Sequence, residues 1–199
     1  MQQQIEKTLV TGANGFIGRY VMAELTGRSV PHVGVTRSQN SVEGQETLAL
    51  GTLDKATNWD EHLHGVSNIV HLAGRAHILN ETESDPRAAF MSANVDATIA
   101  LAKAAKNAGV KRFVFLSSIA VYSPEHTHLD QGTSPNPKTD YGHSKWIAEQ
   151  ELAQLEDENF HVLSLRPPLV FGPEVSANFR RLLSLAWSGL SLPLAGVND

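Results

Sequence analysis

Short apolar runs alternate with amphipathic stretches along the chain, which predicts alternating β-strands and α-helices. One of these runs, SNIVHL, has the nearly continuous apolar character of a strand buried on both faces. Alternating strands and helices favour an α/β fold with a doubly wound parallel sheet and helices on both of its faces. The predicted strands are residues 8–10, 30–36, 47–50, 67–72, 111–117 and 161–165.

Helices are predicted between these strands, at residues 16–25, 59–63, 85–107 and 141–158. The longest begins at the pair Asp85-Pro86, since proline is favoured in a first helical turn, and ends before Gly109. Residues 123–139 are rich in proline, histidine, threonine and aspartate and show no periodicity, which indicates a long loop.

Composition excludes several classes of function. The chain has 199 residues, of which 41% are hydrophobic and 19% charged, as in a soluble protein with one substantial core. A net charge of −5 argues against nucleic acid or an anionic membrane as a partner. The absence of cysteine excludes disulfides and thiolate chemistry, and no metal site is predicted. The start MQQQIEK has no signal-peptide pattern, so we expect a cytoplasmic protein.

The stretch KTLVTGANGFIGRY, residues 7–20, combines an apolar run, three glycines and the beginning of a helix. Gly12, Gly15 and Gly18 have the spacing G-x-x-G-x-x-G. A helix N-terminus carries free N–H donors and a partial positive charge, so a strand, glycine turn and helix suit a pyrophosphate. Three glycines also occur in ordinary turns, but here they predict a Rossmann-like dinucleotide site.

Tyr141 and Lys145 lie four residues apart on a predicted helix and so share one face. An ammonium beside a phenol favours the phenolate, and we expect it to lower the phenol pKa toward neutrality. Ser117 and Ser118 end the strand KRFVFLSS, at the sheet edge where ligands bind. Taken alone, the Tyr–Lys pair also fits a solvated helix face, and serine pairs commonly end strands.

Six segments in this order resemble motifs of the extended short-chain dehydrogenases/reductases, also called NAD-dependent epimerases/dehydratases. They cover the chain from Lys7 to Pro173 and together are highly specific. In chain order they read TGANGFIG (11–18), VHLAG (70–74), NVDATIAL (94–101), FVFLSSIAVY (113–122), YGHSK (141–145) and RPPLVFGP (166–173).

The resemblance implies a role for each matched residue. Tyr141 would be the general acid/base, Lys145 would hold the nicotinamide ribose, and Ser118 rather than Ser117 would contact the reacting sugar oxygen. Asn94 would lie near the active site. The remaining cofactor-binding residues would be Gly12, Asn14, Gly15, Phe16, Ile17, Gly18, Leu72, Ala73 and Gly74, and the substrate's diphosphate would meet Asn178 and Phe179.

The end of the second predicted strand bears on the choice between NAD and NADP. Family members that bind NAD usually carry Asp or Glu there, whereas this chain reads Val35-Thr36-Arg37-Ser38. Arg37 could pair with a 2′-phosphate, so we expect NAD(P) with a preference for NADP(H). After the third strand Thr52 stands where relatives often have Asp, and Asp54 comes two positions late.

The resemblance implies an NAD(P)-dependent nucleoside-diphosphate-sugar epimerase. It would act at C4 through a 4-keto intermediate, with a UDP-sugar as the expected substrate, in surface-polysaccharide metabolism. Related dehydratases carry Asp-Glu after the active-site residue, but Ile119-Ala120 follow Ser118 here. An NADPH-dependent 4-ketoreductase of a nucleotide-linked deoxysugar is the first alternative. A non-catalytic dinucleotide-binding module is the second.

Two domains are expected from the resemblance. Residues 1–173 would form the NAD(P)-binding Rossmann domain, and residues 174–199 would begin a small substrate-binding domain that is mostly missing, because family members run to about twice the length of their cofactor half. We expect this stretch to bind the dinucleotide without completing the sugar site. The alanine-rich helix near 88–108 and the helix near 141–158 would form a homodimer contact, with a nucleoside-diphosphate sugar as the other partner and neither nucleic acid nor membrane bound.

Overall fold

The computed structural model describes residues 6–39, 44–76, 82–173, 184, 185, 187 and 188. These residues contain a six-stranded sheet in the order β3-β2-β1-β4-β5-β6, and every neighbouring pair is parallel. The strands are β1 (Lys7–Thr11), β2 (His32–Thr36), β3 (Thr47–Ala49), β4 (Val66–His71), β5 (Arg112–Leu116) and β6 (His161–Leu165). The α/β fold with a parallel sheet predicted from the sequence is confirmed.

Helices cover both faces of this sheet, as expected. They are α1 (Phe16–Gly27), α2 (Pro86–Met91), α3 (Ala97–Asn107) and α4 (Asp140–Leu155). Side chains alternate across β1, so that Val10 packs with Met22 of α1 while Leu9 joins the larger core cluster with Leu101 of α3 and Leu152 of α4. All five of these side chains are fully buried. Burial of this apolar surface is the main stabilising contribution to the fold.

Two helix predictions need correction. The long helix predicted for residues 85–107 is interrupted, because Ser92–Asp96 form a π-helical turn between α2 and α3. Residues 59–63 form a turn rather than a helix, although Trp59 and Leu63 are both buried in the core. Its hydrogen bonds, from the Leu63 and His62 N–H groups to the Trp59 carbonyl, close a single turn.

Strand order reverses between β1 and β4. The chain runs outward from β1 through β2 to β3, returns to β4 on the other side of β1, and continues to β5 and β6. The carboxyl ends of β1 and β4 therefore border the crevice in which open α/β sheets bind ligands.

The chain divides into two compact units, residues 1–168 and residues 169–199. Within the second unit, the Ser188 N–H group donates to the Ser184 carbonyl at 3.0 Å, and the Trp187 side chain is 94% exposed. In the described parts of the chain no helix has the length and apolarity needed to cross a bilayer.

Candidate active site

The glycine turn between β1 and α1 is the first wall of the crevice. Gly12 has a φ of +66°, in the left-handed region that favours glycine, and a Cβ there would lie 2.9 Å from the Ala73 nitrogen. A Cβ on Gly18 would lie 2.1 Å from the Gly12 carbonyl oxygen. These two positions therefore require glycine, one for conformation and close approach and the other for packing the helix on the turn.

The N-terminus of α1 opens into this turn. Its N-cap residue is Gly15, no side chain caps the helix, and its first turn contains no acidic residue. The first N–H groups of a helix lack intrahelical partners, so Phe16 and Ile17 present backbone donors here. Asn14 and Gly15 are exposed beside them. This arrangement fits the pyrophosphate of a dinucleotide.

The segment after β4 forms the second wall. Leu72 donates its N–H group to the Thr11 carbonyl at 3.3 Å, which joins this segment to the end of β1. A Cβ on Gly74 would lie 2.9 Å from Asn94 Oδ1 and 3.4 Å from Lys145 Nζ. The structure thus brings the glycine turn, the 72–74 segment and Lys145 to one edge of the sheet.

Tyr141 stands in the first turn of α4, beside Ser118. Thr139 caps this helix by accepting the Gly142 N–H group at 3.0 Å. The Ser118 hydroxyl lies close enough to the Tyr141 phenol to lower its pKa, and Ser118 Oγ accepts the Ala120 N–H group at 3.1 Å. Ser117 is buried instead, and its hydroxyl has no hydrogen-bond partner among the described residues. The geometry therefore pairs Ser118, and not Ser117, with the tyrosine.

The prediction that Lys145 lowers the pKa of Tyr141 is wrong. Burial raises the pKa of Tyr141, and the hydrogen bond from Ser118 only partly opposes that effect. Lys145 does not offset it, because its ammonium donates to the Leu116 carbonyl at 2.8 Å and lies 4.6 Å from the centroid of the Phe115 ring. The phenol therefore keeps its proton near neutral pH.

The pKa of Lys145 is also strongly shifted. Burial lowers the pKa of Lys145 from 10.5 to about 8, and the negative charge of Glu149 partly opposes the shift. Glu149 lies one turn further along α4; its two carboxylate oxygens share the Arg166 Nε–H, at 3.0 Å and 3.1 Å, and Oε2 also accepts from Arg166 Nη2. Sequence reasoning missed Glu149, although its position eight residues after Tyr141 places it on the same helix face.

Arg166 ties this helix to the sheet. It follows the end of β6, donates to the Tyr122 hydroxyl as well as to Glu149, and lies over the rings of Tyr122 and Trp146 at 5.1 Å and 5.5 Å. The guanidinium thereby joins β6, the segment after Ser118 and the helix that carries the Tyr–Lys pair. Charge-assisted bidentate pairs of this kind fix geometry well.

Asn94 links the segment after β4 to helix α4. This fully buried residue lies in the π-helical turn, and its amide accepts from the Arg75 N–H group at 2.7 Å and donates to the Arg75 carbonyl at 3.0 Å. The same amide donates to Ser144 Oγ at 2.9 Å, and the Ser144 hydroxyl donates to the Tyr141 carbonyl at 2.8 Å. Asn94 therefore lies near Tyr141, and Ser144 is a contact that sequence reasoning missed.

The remaining predicted residues are Arg37, Asn178 and Phe179. Arg37 follows β2, the strand next to β1, and its side chain is exposed. Asn178 and Phe179 lie outside the described residues. The described residues also contain no group of three or more His, Asp or Glu side chains placed to hold a metal ion.

One family profile and several known proteins resemble this chain. The profile of the NAD-dependent epimerase/dehydratase family matches residues 8–190. UDP-glucose 4-epimerase of Vibrio cholerae is 33% identical over 204 residues, which cover 96% of this chain and 60% of that protein. The 4-hydroxy-2-methyl-3-oxo-4-farnesyl-3,4-dihydroquinoline-1-oxide ketoreductase of Stigmatella aurantiaca is 28% identical over 185 residues, covering 89% of this chain and 54% of that one.

The fold also matches solved structures. MoeE5 in complex with UDP-glucose and NAD superposes with a TM-score of 0.80 and 28% sequence identity, over 92% of this chain and 62% of that one. The chain thus spans between 54% and 62% of the length of these three proteins.

Proposed function

The chain belongs to the NAD-dependent epimerase/dehydratase family, and we propose that it supplies the dinucleotide site and the proton-transfer groups of a nucleoside-diphosphate-sugar 4-epimerase. The observation that carries this proposal is the proximity of the Ser118 hydroxyl to the Tyr141 phenol, with Lys145 on the same helix as Tyr141 and next to the segment that lines the glycine turn. The substrate is a UDP-sugar, by analogy with the Vibrio cholerae relative and with MoeE5.

The chain's residues divide the proton chemistry between them. When bound, the nicotinamide supplies a hydride acceptor for C4 and later returns the hydride. Tyr141 removes the proton of the 4-hydroxyl and gives it back to the 4-keto oxygen, while Ser118 hydrogen-bonds that oxygen. The phenol must lose its own proton before the first step, and it then carries the substrate's proton into the second step. Lys145, the cation on the same face of α4, would hold the ribose, and it would favour the phenolate once its ammonium turns from the Leu116 carbonyl toward Tyr141.

A dehydratase is disfavoured by the residues that follow Ser118. Elimination of water needs a carboxylate beside the sugar, whereas Ile119 and Ala120 begin a 3₁₀ turn at this position. Incubating the whole protein with UDP-glucose and separating the products tests the proposal. Interconversion with a second UDP-hexose, without net consumption of cofactor, is expected. Dinucleotide binding with no conversion of any UDP-hexose would contradict it.

A 4-ketoreductase is the second candidate, and the similarity to the Stigmatella ketoreductase favours it. The same residues would then act once, with Tyr141 donating its proton to a 4-keto sugar. Stoichiometric oxidation of NADPH by a 4-keto nucleotide sugar would separate this reaction from epimerisation. A binding module without catalysis has no use for the Ser118–Tyr141 pair, so turnover of either kind excludes it.

The cofactor is a nicotinamide dinucleotide, and we infer a preference for NADP(H). The support is Arg37, which is exposed at the end of β2 with no carboxylate in residues 35–38. NAD in the MoeE5 complex supports the alternative. Fluorescence titration of the wild type and Arg37→Ala with both reduced cofactors decides between them. A larger loss of affinity for NADPH than for NADH is expected, and equal losses would contradict the inference.

The domain division, the cellular location and the oligomeric state are also proposals. Residues 1–173 would hold the dinucleotide, and residues 174–199 would begin the part that meets the sugar nucleotide through Asn178 and Phe179. The reaction would take place in the cytoplasm, within surface-polysaccharide metabolism, away from nucleic acid and membranes. A homodimer would form through α3 and α4, which pack together and leave Ala153 exposed. Sedimentation analysis of Ala153→Arg against the wild type tests that contact.

A further inference from the structure

A buried histidine beside the glycine turn takes no part in the chemistry proposed above. His71 ends β4, is 2% exposed, and stacks on the Phe115 ring at a centroid distance of 6.0 Å. Its Nδ1 lies 2.7 Å from Thr11 Oγ1 and its Nε2 lies 3.0 Å from Thr98 Oγ1. Such a histidine is most often a satisfied core residue. The other hydrogen bonds of the Thr11 hydroxyl indicate a further role for His71.

The Thr11 hydroxyl receives two backbone N–H groups. Leu72 donates to its oxygen at 3.2 Å and Ala73 at 3.1 Å. A hydroxyl has two lone pairs and one proton, so with both lone pairs engaged the proton must be donated to Nδ1 of His71. Nδ1 is then the unprotonated nitrogen, and Nε2–H donates to Thr98. One arrangement of hydrogens satisfies every group, and it fixes the tautomer of the histidine.

The two N–H groups belong to the segment that lies against the glycine turn, where a Cβ on Gly12 would be 2.9 Å from the Ala73 nitrogen. We propose that His71 is a positioning residue for the dinucleotide site. By accepting the Thr11 proton it directs both lone pairs of that oxygen at Leu72 and Ala73, and so sets the separation of the two walls of the crevice. The role rests on the proposed function, because it assumes that a dinucleotide binds between those walls.

The surroundings of His71 keep it neutral. Burial, together with the charge of Lys145, lowers the pKa of His71 from 6.5 to about 3. Its hydrogen-bond partners are the hydroxyls of Thr11 and Thr98, and the groups packed against its ring are aromatic. A protonated ring would carry a hydrogen on Nδ1, and the Thr11 oxygen would have to turn a lone pair toward it. The hydroxyl would then serve only one of the two backbone N–H groups; Leu72 could still donate to the Thr11 carbonyl, whereas the Ala73 N–H group would lose its acceptor if it were the one displaced.

The tautomer is measured on the wild-type chain. Histidine ¹⁵N spectra are recorded between about pH 5 and pH 9, the range in which an ordinary histidine titrates. Because the chain has nine histidines, His71→Gln serves only to identify the signal. We expect an unprotonated Nδ1, a protonated Nε2 and no titration. The opposite tautomer, or a titration within this range, would overturn the inference.

Dinucleotide affinity tests the positioning role, with conservative variants as the rescue. Thr11→Val removes the acceptor of the Ala73 N–H group and one of the two acceptors of the Leu72 N–H group, and His71→Phe removes the acceptor of the hydroxyl proton while keeping a ring. Each should weaken NAD(P) binding about ten-fold or more, because buried donors lose their partners. Thr11→Ser and His71→Asn keep an acceptor in place and should bind within about three-fold of the wild type.

The outcomes separate the two proposals. Calorimetry measures the affinity, and the thermal midpoint of each variant is recorded in parallel. If the wild type binds no dinucleotide, the proposed function fails. If the wild type binds and either Thr11→Val or His71→Phe binds equally well, the positioning role fails while the proposed function stands. If Thr11→Ser loses affinity as Thr11→Val does, the hydroxyl is not the group that matters, and the positioning role fails as well.

Discussion

Gly142 packs directly against the carbonyl oxygen of Ala120. A Cβ at position 142 would lie 2.2 Å from that oxygen, a distance that real side chains do not reach. This contact places the first turn of α4 directly against the segment that follows Ser118. We expect the approach of Tyr141 to Ser118 to depend on this contact, because the two residues stand on different elements, on either side of it.

Gly142→Ala should therefore separate the tyrosine from the serine. Backbone lies on the other side of the clash, so α4 must shift, and misplacement of a catalytic group by about 1 Å can cost 10²-fold in rate. We expect kcat to fall at least ten-fold with a modest loss of stability. Gly132→Ala is the matched control, since its Cβ would meet only Asp130 Oδ1, at 3.5 Å. Unchanged kcat in Gly142→Ala would show that the contact does not position Tyr141.

Gly18→Ala should abolish dinucleotide binding. The added methyl group would lie 2.1 Å from the Gly12 carbonyl oxygen, so α1 would have to move away from the turn that it completes. Gly27→Ala, in the same helix, is the control, because a Cβ there has open space within 4 Å. Calorimetric titration with NAD and NADP compares the two variants. Equal binding by both would mean that the N-terminus of α1 does not hold the pyrophosphate.

The stability of the fold should rise with pH through the titration of Lys145. Its pKa is lowered from 10.5 to about 8, so between those values the unfolded chain binds more protons than the folded chain. The free energy of unfolding therefore increases from about pH 8 upward. Urea unfolding at several pH values measures the slope, and Lys145→Met should lower it. A slope that is the same in wild type and variant would contradict the burial of a titrating lysine.

Removal of the Glu149 charge should make Lys145 lose its proton at a lower pH. Glu149 favours the charged ammonium, so Glu149→Gln lowers the pKa of Lys145 further below about 8. The alkaline limb of the rate profile should move to lower pH in the whole enzyme. Glu151→Gln, an exposed position of the same helix, is the control. If both variants keep the wild-type profile, Glu149 does not act on the lysine.

Much of this fold follows from apolar periodicity and turn chemistry. The six strands and the parallel sheet were predictable because short apolar runs, of three to six residues, alternate with helical stretches. The interruption of the long helix was not, since Ser92–Asp96 keep the helical pattern of buried residues and only the buried Asn94 marks the place. The end of α4 was placed three residues late, because the Asp157 side chain caps the Asn159 and Phe160 N–H groups in a turn.

The candidate site was likewise predicted only in part from the sequence. The spacing of Tyr141 and Lys145 put them on one helix face, and the motif order selected Ser118. The direction of the Tyr141 pKa shift was wrong, because desolvation depends on what surrounds the ring in three dimensions and the sequence lists only neighbours along the chain. Glu149 was missed for a related reason. Its significance depends on Arg166, which only the pairing of β6 with β5 brings to it.

The reaction of bound cofactor with a sugar nucleotide tests the central claim most directly. The whole protein, loaded with NAD(P)⁺, is mixed with UDP-glucose, and the absorbance of the reduced nicotinamide is followed in the wild type and in Tyr141→Phe. General acid/base catalysis is typically worth 10²–10⁴-fold, so we expect a rapid rise in the wild type and at least a hundred-fold slower rise in the variant, with cofactor affinity unchanged. A Tyr141→Phe rate above about a tenth of the wild-type rate would contradict the role of Tyr141 as the proton-transfer group.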